Sequence, residues 1–300
     1  MKAMILAAGL GTRLKPLTNT RPKALVELSG RTLLEITLTR LRSFGITEVI
    51  INVHHFADQV IAYLKSHNNF GLRIEISREE VLLDTGGGLK KAAWFFLEDP
   101  ARPNSSQKDE PLLLHNVDVI SNIDLRRMLQ FHTENQALAT LAVQTRETSR
   151  PLLFDDQNHL RGRLIQDKDT LIPIPPNAVI SSEVRNLSSS PSRDASPSPE
   201  TTNNCHSERS EESAFSDSPL GRPQPYQSLA FSGIHIICPR LLPMLTEEGV
   251  FSIIPSSLRL SAQGQKILAF RADQYYWRDL GRPADLAQAA EDMKKGALNQ

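Results

Sequence analysis

Along the first half of the chain, the spacing of apolar positions switches between two periods. Residues 2–6 and 48–53 are short, nearly continuous apolar runs, the pattern of strands buried on both faces. Between them, residues 31–44 carry Leu33, Leu34, Leu38 and Leu41 at helical spacing, and Gly45 stops the run. The alternation continues with a helix over 56–65 and a strand over 72–77. A helix then opens after Gly88 and runs to about 97, followed by a strand over 111–115, a helix over 125–135 and a strand over 139–144. Strands that alternate with helices predict parallel pairing with helices on both faces of the sheet.

Beyond about residue 150 the rhythm changes. Residues 152–154 and 159–163 read as a hairpin around Asp155-Asp156-Gln157-Asn158. Strands follow over 229–237, 266–271 and 275–277, and helices over 239–245, 251–262 and 283–294. The second half is therefore expected to elaborate the same sheet with antiparallel strands. The predicted class is α/β, a Rossmann-like, mostly parallel mixed sheet with helices on both faces.

One segment fits neither period. Nine of the nineteen prolines fall between Pro173 and Pro225, and the stretch 188–219 is rich in Ser, Asn, Thr and alternating charge. Large apolar residues are nearly absent, so it has little surface to bury against the entropy of ordering. Residues 177–226 are expected to be a disordered insertion or long surface loop, with Cys205 and His206 solvated. The expected organisation is one domain, with a core of 1–176 and 227–295 interrupted by this insertion.

Composition narrows the function. The chain has 300 residues, 40% of them hydrophobic, which is enough for a real core. Lys plus Arg (34) equals Asp plus Glu (34), so the chain lacks the basic surplus of a general nucleic-acid binder. Two cysteines, Cys205 and Cys238, provide no disulfide framework and fit a reducing compartment. No run reaches the roughly 18 apolar residues of a membrane span. The short apolar start leads straight into a glycine loop and is a poor signal peptide. A cytoplasmic protein is expected, with no nucleic-acid or membrane partner; its oligomeric state is open.

That loop is the sharpest motif: Ala8-Gly9-Leu10-Gly11-Thr12-Arg13, then Pro22-Lys23 nine residues on. A loop at the carboxyl end of a parallel strand lies where α/β sheets bind ligands. Glycine lets backbone approach a phosphate and turns N–H groups toward it. Thr12 adds a hydroxyl, Arg13 a planar two-point donor and Lys23 a compact charge. The dinucleotide fingerprint fails because Leu14 stands where a third glycine is required, and the Gly-Lys-Ser/Thr ending of a P-loop is missing.

Three further motifs accompany it. Asp118, in Leu114-His115-Asn116-Val117-Asp118, ends a buried run and is placed to bind a metal. Asp279, in Trp277-Arg278-Asp279-Leu280-Gly281, is a second carboxylate flanked by an aromatic and a glycine. Gly86, Gly87 and Gly88 precede a helix and would allow close approach of a flat base. Each has a structural reading beside it: a capping aspartate, a helix N-cap, a flexible helix start. His115 reads as a packed histidine, and adjacent His54 and His55 on an extended segment point apart rather than toward one metal.

Taken together, the Gly-x-Gly-Thr-Arg loop, the Pro-Lys pair, Asp118 and Trp-x-Asp-x-Gly resemble the sugar-1-phosphate nucleotidyltransferases, over residues 1–150 and 227–290. The resemblance is nearest to bacterial mannose-1-phosphate guanylyltransferases and N-acetylmuramate-1-phosphate uridylyltransferases. It implies the nucleotide-diphospho-sugar transferase fold and transfer of a nucleotidyl group from a nucleoside triphosphate to a sugar 1-phosphate, with Mg²⁺ as cofactor. It implies nucleotide binding by Ala8, Gly9, Gly11, Thr12, Arg13, Gly86 and Gly87. It implies catalytic roles for Arg13, Lys23 and Asp118, metal binding by Asp118 and Asp279, and sugar contacts at Asn116 and Gly233. Two departures stand out: Val117 replaces the family's usual glycine, and the Glu-Lys pair of many relatives has no clear counterpart among Arg161, Arg163 and Asp167-Lys168. A non-catalytic nucleotide-sugar-binding regulator on the same fold is the alternative, and a nicotinamide-dependent oxidoreductase a remote third.

Overall fold

The central strands are where the apolar runs are densest. In a computed structural model, which describes residues 1–97, 110–167, 170–174 and 226–298, strand β1 (Ala3–Leu6) occupies the middle of a ten-stranded sheet. Two short strands, β2 (Glu27–Leu28) and β3 (Arg31–Thr32), form a hairpin leading into helix α1 (Leu33–Ser43). Thr32 caps that helix, its hydroxyl accepting from Glu35 N at 3.1 Å. Strand β4 (Glu48–Val53), helix α2 (Ala57–Ser66) and strand β5 (Arg73–Arg78) follow, and β1, β4 and β5 pair in parallel.

The next helix departs from expectation. It begins at Asp84 rather than after Gly88, so the three glycines lie inside α3 (Asp84–Lys91), and a break separates it from α4 (Trp94–Leu97). Strand β6 (Leu112–Asn116) pairs in parallel with β1, Leu6 opposite Asn116. A strand the periodicity does not predict, β7 (Val119–Ser121), comes next, then α5 (Leu125–Glu134), capped by Asp124, and β8 (Ala139–Gln144).

In the second half, β9 (Leu152–Phe154) and β10 (Leu160–Asp167) form the expected hairpin, and β11 (Thr170–Ile174) extends it. Strand β12 (Gln227–Ile237) runs antiparallel to β6, β8 and β9. The segment expected to be helical at 239–245 is a 3₁₀ helix, Pro239–Met244, with Pro243 inside it. Helix α6 (Ile253–Ala262) leads to β13 (Ile267–Arg271), which pairs parallel to β8, so the elaboration is not purely antiparallel. The predicted strand at 275–277 lies two residues later as β14 (Trp277–Asp279), paired with β7. Helix α7 (Pro283–Lys294) closes the fold. The proposed insertion at 177–226 lies outside the described residues, except for Tyr226 at its edge.

Side-chain alternation across β1 sorts the core into two layers. Met4 packs with α3, α4 and α6 through Leu89, Phe95, Ile253 and Leu258. Ala3 and Ile5 point the other way, to Leu34 and Leu38 of α1, Val60 of α2 and Met128 of α5. A third cluster joins Leu14 of the glycine loop, Ile120 of β7, Leu280 and Leu286 of α7. That cluster anchors the loop after β1 to the chain that carries Asp279. Among the described residues, no helix is long and apolar enough to cross a membrane.

Candidate active site

The glycine loop is shaped by one obligatory glycine. Gly11 has φ +63°, and a Cβ there would lie 2.9 Å from Thr18 Cγ2 and 3.2 Å from Lys23 Cβ. The turn packs Thr18 and Lys23 under the loop, with Thr18 Oγ1 donating to Gly11 O at 2.8 Å. Thr12 and Arg13 then sit exposed in a 3₁₀ turn, while Gly9 has open space where its side chain would be. Lys23 is only 9% exposed at the start of a second such turn.

Two carboxylates meet this lysine. Asp118 lies in the turn between β6 and β7. Strand β14 pairs with β7, Asp279 opposite Val119, and Leu280 N donates to Asp118 O at 2.8 Å. Lys23 Nζ donates to Asp118 Oδ2. Asp279 has one buried oxygen, Oδ1, with no hydrogen-bond partner. Burial pushes its carboxyl above the usual carboxylate range, and the Asp118 charge pushes the same way against Lys23 and Arg13. Arg13 is close as well: a Cβ on Gly281 would lie 2.7 Å from Arg13 Nη2 and 2.8 Å from Asp279 Oδ1. The structure thus brings together Arg13, Lys23, Asp118 and Asp279. An orphaned carboxylate oxygen beside a second carboxylate suits a hard divalent cation, which takes one or two carboxylates and completes its shell with phosphate and water. Among the described residues, no cluster of three or more potential metal ligands forms.

Asn116 and Gly233 also meet. Gly233, at φ +75°, lies where the β12–β8 register slips, and a Cβ would lie 2.9 Å from both Asn116 Nδ2 and Val119 Cγ2. Ser232 O accepts from Trp277 Nε1 at 2.7 Å, tying β12 to the strand of Asp279.

Gly86 and Gly87 behave differently from the expected base platform. Both N–H groups already donate to Phe251 O, at 2.9 and 3.1 Å. A Cβ on Gly86 would lie 2.4 Å from Phe251 Cε2, and one on Gly87 2.5 Å from Gly249 O. The close approach these glycines permit is taken by the protein's own chain. Thr85 continues the seam, its hydroxyl accepting from Ile253 N at 3.0 Å.

Three residues not singled out in the sequence belong to this region. Asn52 Oδ1 accepts from Ala7 N at 2.7 Å, and its Nδ2 donates to Glu79 Oε1 at 2.7 Å. Glu79, 2% exposed, also accepts from Leu83 N at 2.9 Å. This buried chain fixes the glycine loop to the segment that opens α3. The signal for Asn52 was a lone polar residue in an apolar strand. Arg146 carried none. Its guanidinium lies 3.8 Å from the Trp277 ring centroid and donates to Phe231 O at 2.6 Å. Burial lowers its pKa, and the charge of Asp279 opposes that.

Comparison with known proteins bears on the family and the fold. A family model described as nucleotidyl transferase matches residues 2–154. An N-acetylmuramate alpha-1-phosphate uridylyltransferase of Caulobacter vibrioides is 52% identical over 101 residues, which is 33% of this chain and 42% of that protein. A mannose-1-phosphate guanyltransferase of Aspergillus fumigatus is 34% identical over 144 residues, 48% of this chain and 37% of its own length. The matches thus span about two fifths of these relatives. Among solved structures, HddC from Yersinia pseudotuberculosis complexed with GMP-PN superposes with a TM-score of 0.61 at 19% identity, covering 97% of this chain and 99% of that one. This places the fold with the nucleotide-diphospho-sugar transferases, and by sequence the chain belongs to the nucleotidyl transferase family.

Proposed function

We propose that the protein transfers a nucleotidyl group from a nucleoside triphosphate to a sugar 1-phosphate and releases pyrophosphate. The observation that carries this reading is the meeting of Lys23, Asp118, Asp279 and Arg13 at the carboxyl end of β1 and β6. A sugar phosphate oxygen attacks the α-phosphorus in line, and the bond from that phosphorus to pyrophosphate breaks. The acceptor is already an anion, so the site needs no protein nucleophile. Its work is positioning and charge neutralisation. Arg13 and the loop of Ala8, Gly9, Gly11 and Thr12 hold the triphosphate. Lys23 leaves Asp118 for the reacting phosphates. Asn116 and Gly233 border the sugar. Asp118 and Asp279 would hold Mg²⁺, which screens phosphate charge when bound.

The relatives make two substrate pairs worth testing first, UTP with N-acetylmuramate 1-phosphate and GTP with mannose 1-phosphate. The balanced charge and the presence of only two cysteines support a cytoplasmic setting without a nucleic-acid partner. The test is pyrophosphate release with Mg²⁺ over five nucleoside triphosphates and a panel of sugar 1-phosphates. One productive pair is expected. Silence from folded protein that still binds nucleotide would overturn the catalytic reading in favour of a regulator.

A further inference from the structure

Arg146 is a guanidinium held firmly in place with donors left over. Its root is pinned from both sides. Gln144 Nε2 donates to Ala272 O at 2.8 Å and to Tyr275 O at 2.9 Å, and Thr145 N donates to Asp273 Oδ1 at 2.7 Å. These bonds tie the end of β8 to the segment that leads into β14. The guanidinium lies 3.8 Å from the Trp277 ring centroid and donates through Nη2 to Phe231 O at 2.6 Å, leaving further N–H donors on the same fork. Nε is buried with no hydrogen-bond partner. Among the described residues its partners are a carbonyl and a ring, and no carboxylate pairs with it. Filling the space over Trp277 does not call for a cation, since an apolar side chain would do so without the cost of burying charge.

The alternation of β14 sets which way this cation faces. Tyr276 and Arg278 share one face, where Tyr276 Oη donates to Asp292 Oδ2 of α7 at 2.8 Å and Arg278 Nε donates to the same oxygen at 3.1 Å. Trp277 and Asp279 therefore share the other face, about 7 Å apart along the strand. Three successive residues of β12 line up beside them. Phe231 O accepts from Arg146, and Ser232 O accepts from Trp277 Nε1 at 2.7 Å. Gly233 abuts Asn116 and Val119, the residue opposite Asp279. Arg146 thus stands at one end of a short row, and the unpartnered Oδ1 of Asp279 at the other. A phosphate satisfies both ends. Its oxygens accept from a planar guanidinium in two-point fashion, and they share the divalent cation that Asp279 suits. The row runs on the Gly233 side, away from the loop in which Arg13 meets the triphosphate.

We propose that Arg146 binds the phosphate of the acceptor, holding the attacking oxygen on the Gly233 side of the site. This rests on the nucleotidyl-transfer reading and adds to it a residue that selects for the phosphate on the sugar. The stacked ring and the carbonyl bond hold the guanidinium ready, so little side-chain freedom is lost when the acceptor binds.

The test uses the full chain and two readouts. In pyrophosphate release with Mg²⁺, Arg146→Gln is expected to raise KM for the sugar 1-phosphate about tenfold or more, the scale of one charge-assisted hydrogen bond. KM for the nucleoside triphosphate should stay within about threefold, and Arg146→Lys should recover part of the loss. An unchanged acceptor KM, or an equal rise in both KM values, overturns the proposal. The second readout needs no turnover. Mannose 1-phosphate and N-acetylmuramate 1-phosphate are titrated calorimetrically into wild type and Arg146→Gln, with Mg²⁺ and a non-hydrolysable triphosphate present. The variant should bind about tenfold more weakly or worse. Trp94 and Trp277 are the chain's two tryptophans, so Trp94→Phe leaves Trp277 to report alone. In that background the sugar 1-phosphate should shift the Trp277 emission, and the sugar without phosphate should not. Should no acceptor give pyrophosphate release, the transfer reading fails by itself and the titrations decide Arg146. Binding that is absent, or equal in wild type and Arg146→Gln, then overturns it.

Discussion

Lys23 and Asp118 form an ion pair with side chains only 11% and 16% exposed, and Asp279 stands beside it as a carboxylate with no cation of its own bonded to it. Two desolvated acids thus stand side by side next to the glycine loop, facing Lys23 and Arg13. Such an arrangement is poorly suited to stability alone, because desolvated like charges repel. It is well suited to a divalent cation arriving with a triphosphate.

Asp279→Asn is therefore expected to separate stability from activity. The amide removes the repulsion from Asp118 and the cost of burying a charge, so the urea midpoint should hold or rise. Pyrophosphate release should fall by about a hundredfold or more, as for loss of a preorganised charged group. Asp118→Asn should also abolish turnover but lower stability, since it strips Lys23 of its partner. Near-normal turnover in either variant would remove that carboxylate from the proposed metal pair.

Lys23→Met predicts the opposite balance. It leaves Asp118 and Asp279 without the nearest cation, so the two carboxylates repel with less to offset them. The variant is expected to unfold at lower urea and to lose about a hundredfold or more in turnover. Lys23→Arg should not rescue it, because the guanidinium is larger and must fit where a side chain only 11% exposed now sits against Asp118. Wild-type rates in Lys23→Arg would show that only charge, and no fit, is needed there.

The glycine loop and the two carboxylates that meet beside Lys23 were legible in the sequence, because each motif names residue types with one dominant chemistry. The sequence also located the main strands, whose apolar runs were long and unambiguous. What it missed were contacts between distant segments. Strand β7 is three residues long and shows no period of its own; only pairing with β14 creates it. Gly86 and Gly87 looked like a ligand platform because a glycine run has the same appearance whether a base or a neighbouring chain takes the space. Here Phe251 and Gly249 take it, and neither could be placed from sequence spacing. Arg146 was an ordinary loop arginine until folding set it over Trp277.

Gly86→Ala tests that packing directly. The added methyl would meet the Phe251 ring at 2.4 Å and its carbonyl oxygen at 3.0 Å. A ring can rotate away but the backbone cannot, so a loss of about 1–3 kcal/mol in urea unfolding is expected. Phe251→Leu should recover part of that loss in the double variant, because the ring is half of the clash. Full stability in Gly86→Ala, with nucleotide affinity reduced, would instead return this glycine to the role of a base platform.

Buried histidines set the last expectation, a loss of stability in mild acid. Burial holds His115 and His132 down to about 4 and His235 down to about 3. In the unfolded chain each titrates near its ordinary value of about 6.5. Above that pH both states are neutral and these groups contribute nothing to the pH dependence. Between 6.5 and 4 the unfolded chain takes up protons that the folded chain refuses, so stability falls as pH falls, by up to about 1.4 kcal/mol per pH unit for each histidine. The carboxylates held low, Asp155, Glu247 and Asp273, act in a lower window. Their stabilisation is complete above the ordinary carboxylate range and fades only as pH drops through their depressed values. Asp279, held high, works the other way, because the folded state binds its proton first. Urea midpoints at pH 7, 6 and 5 should therefore decline, and more steeply in Asp279→Asn than in the wild type. His132→Leu should make the decline shallower, since its ring makes a single bond, to Thr140 Oγ1 at 3.0 Å, and is otherwise enclosed. A midpoint that stays level from pH 7 to 5 would mean that these rings reach water or a proton acceptor in the folded protein.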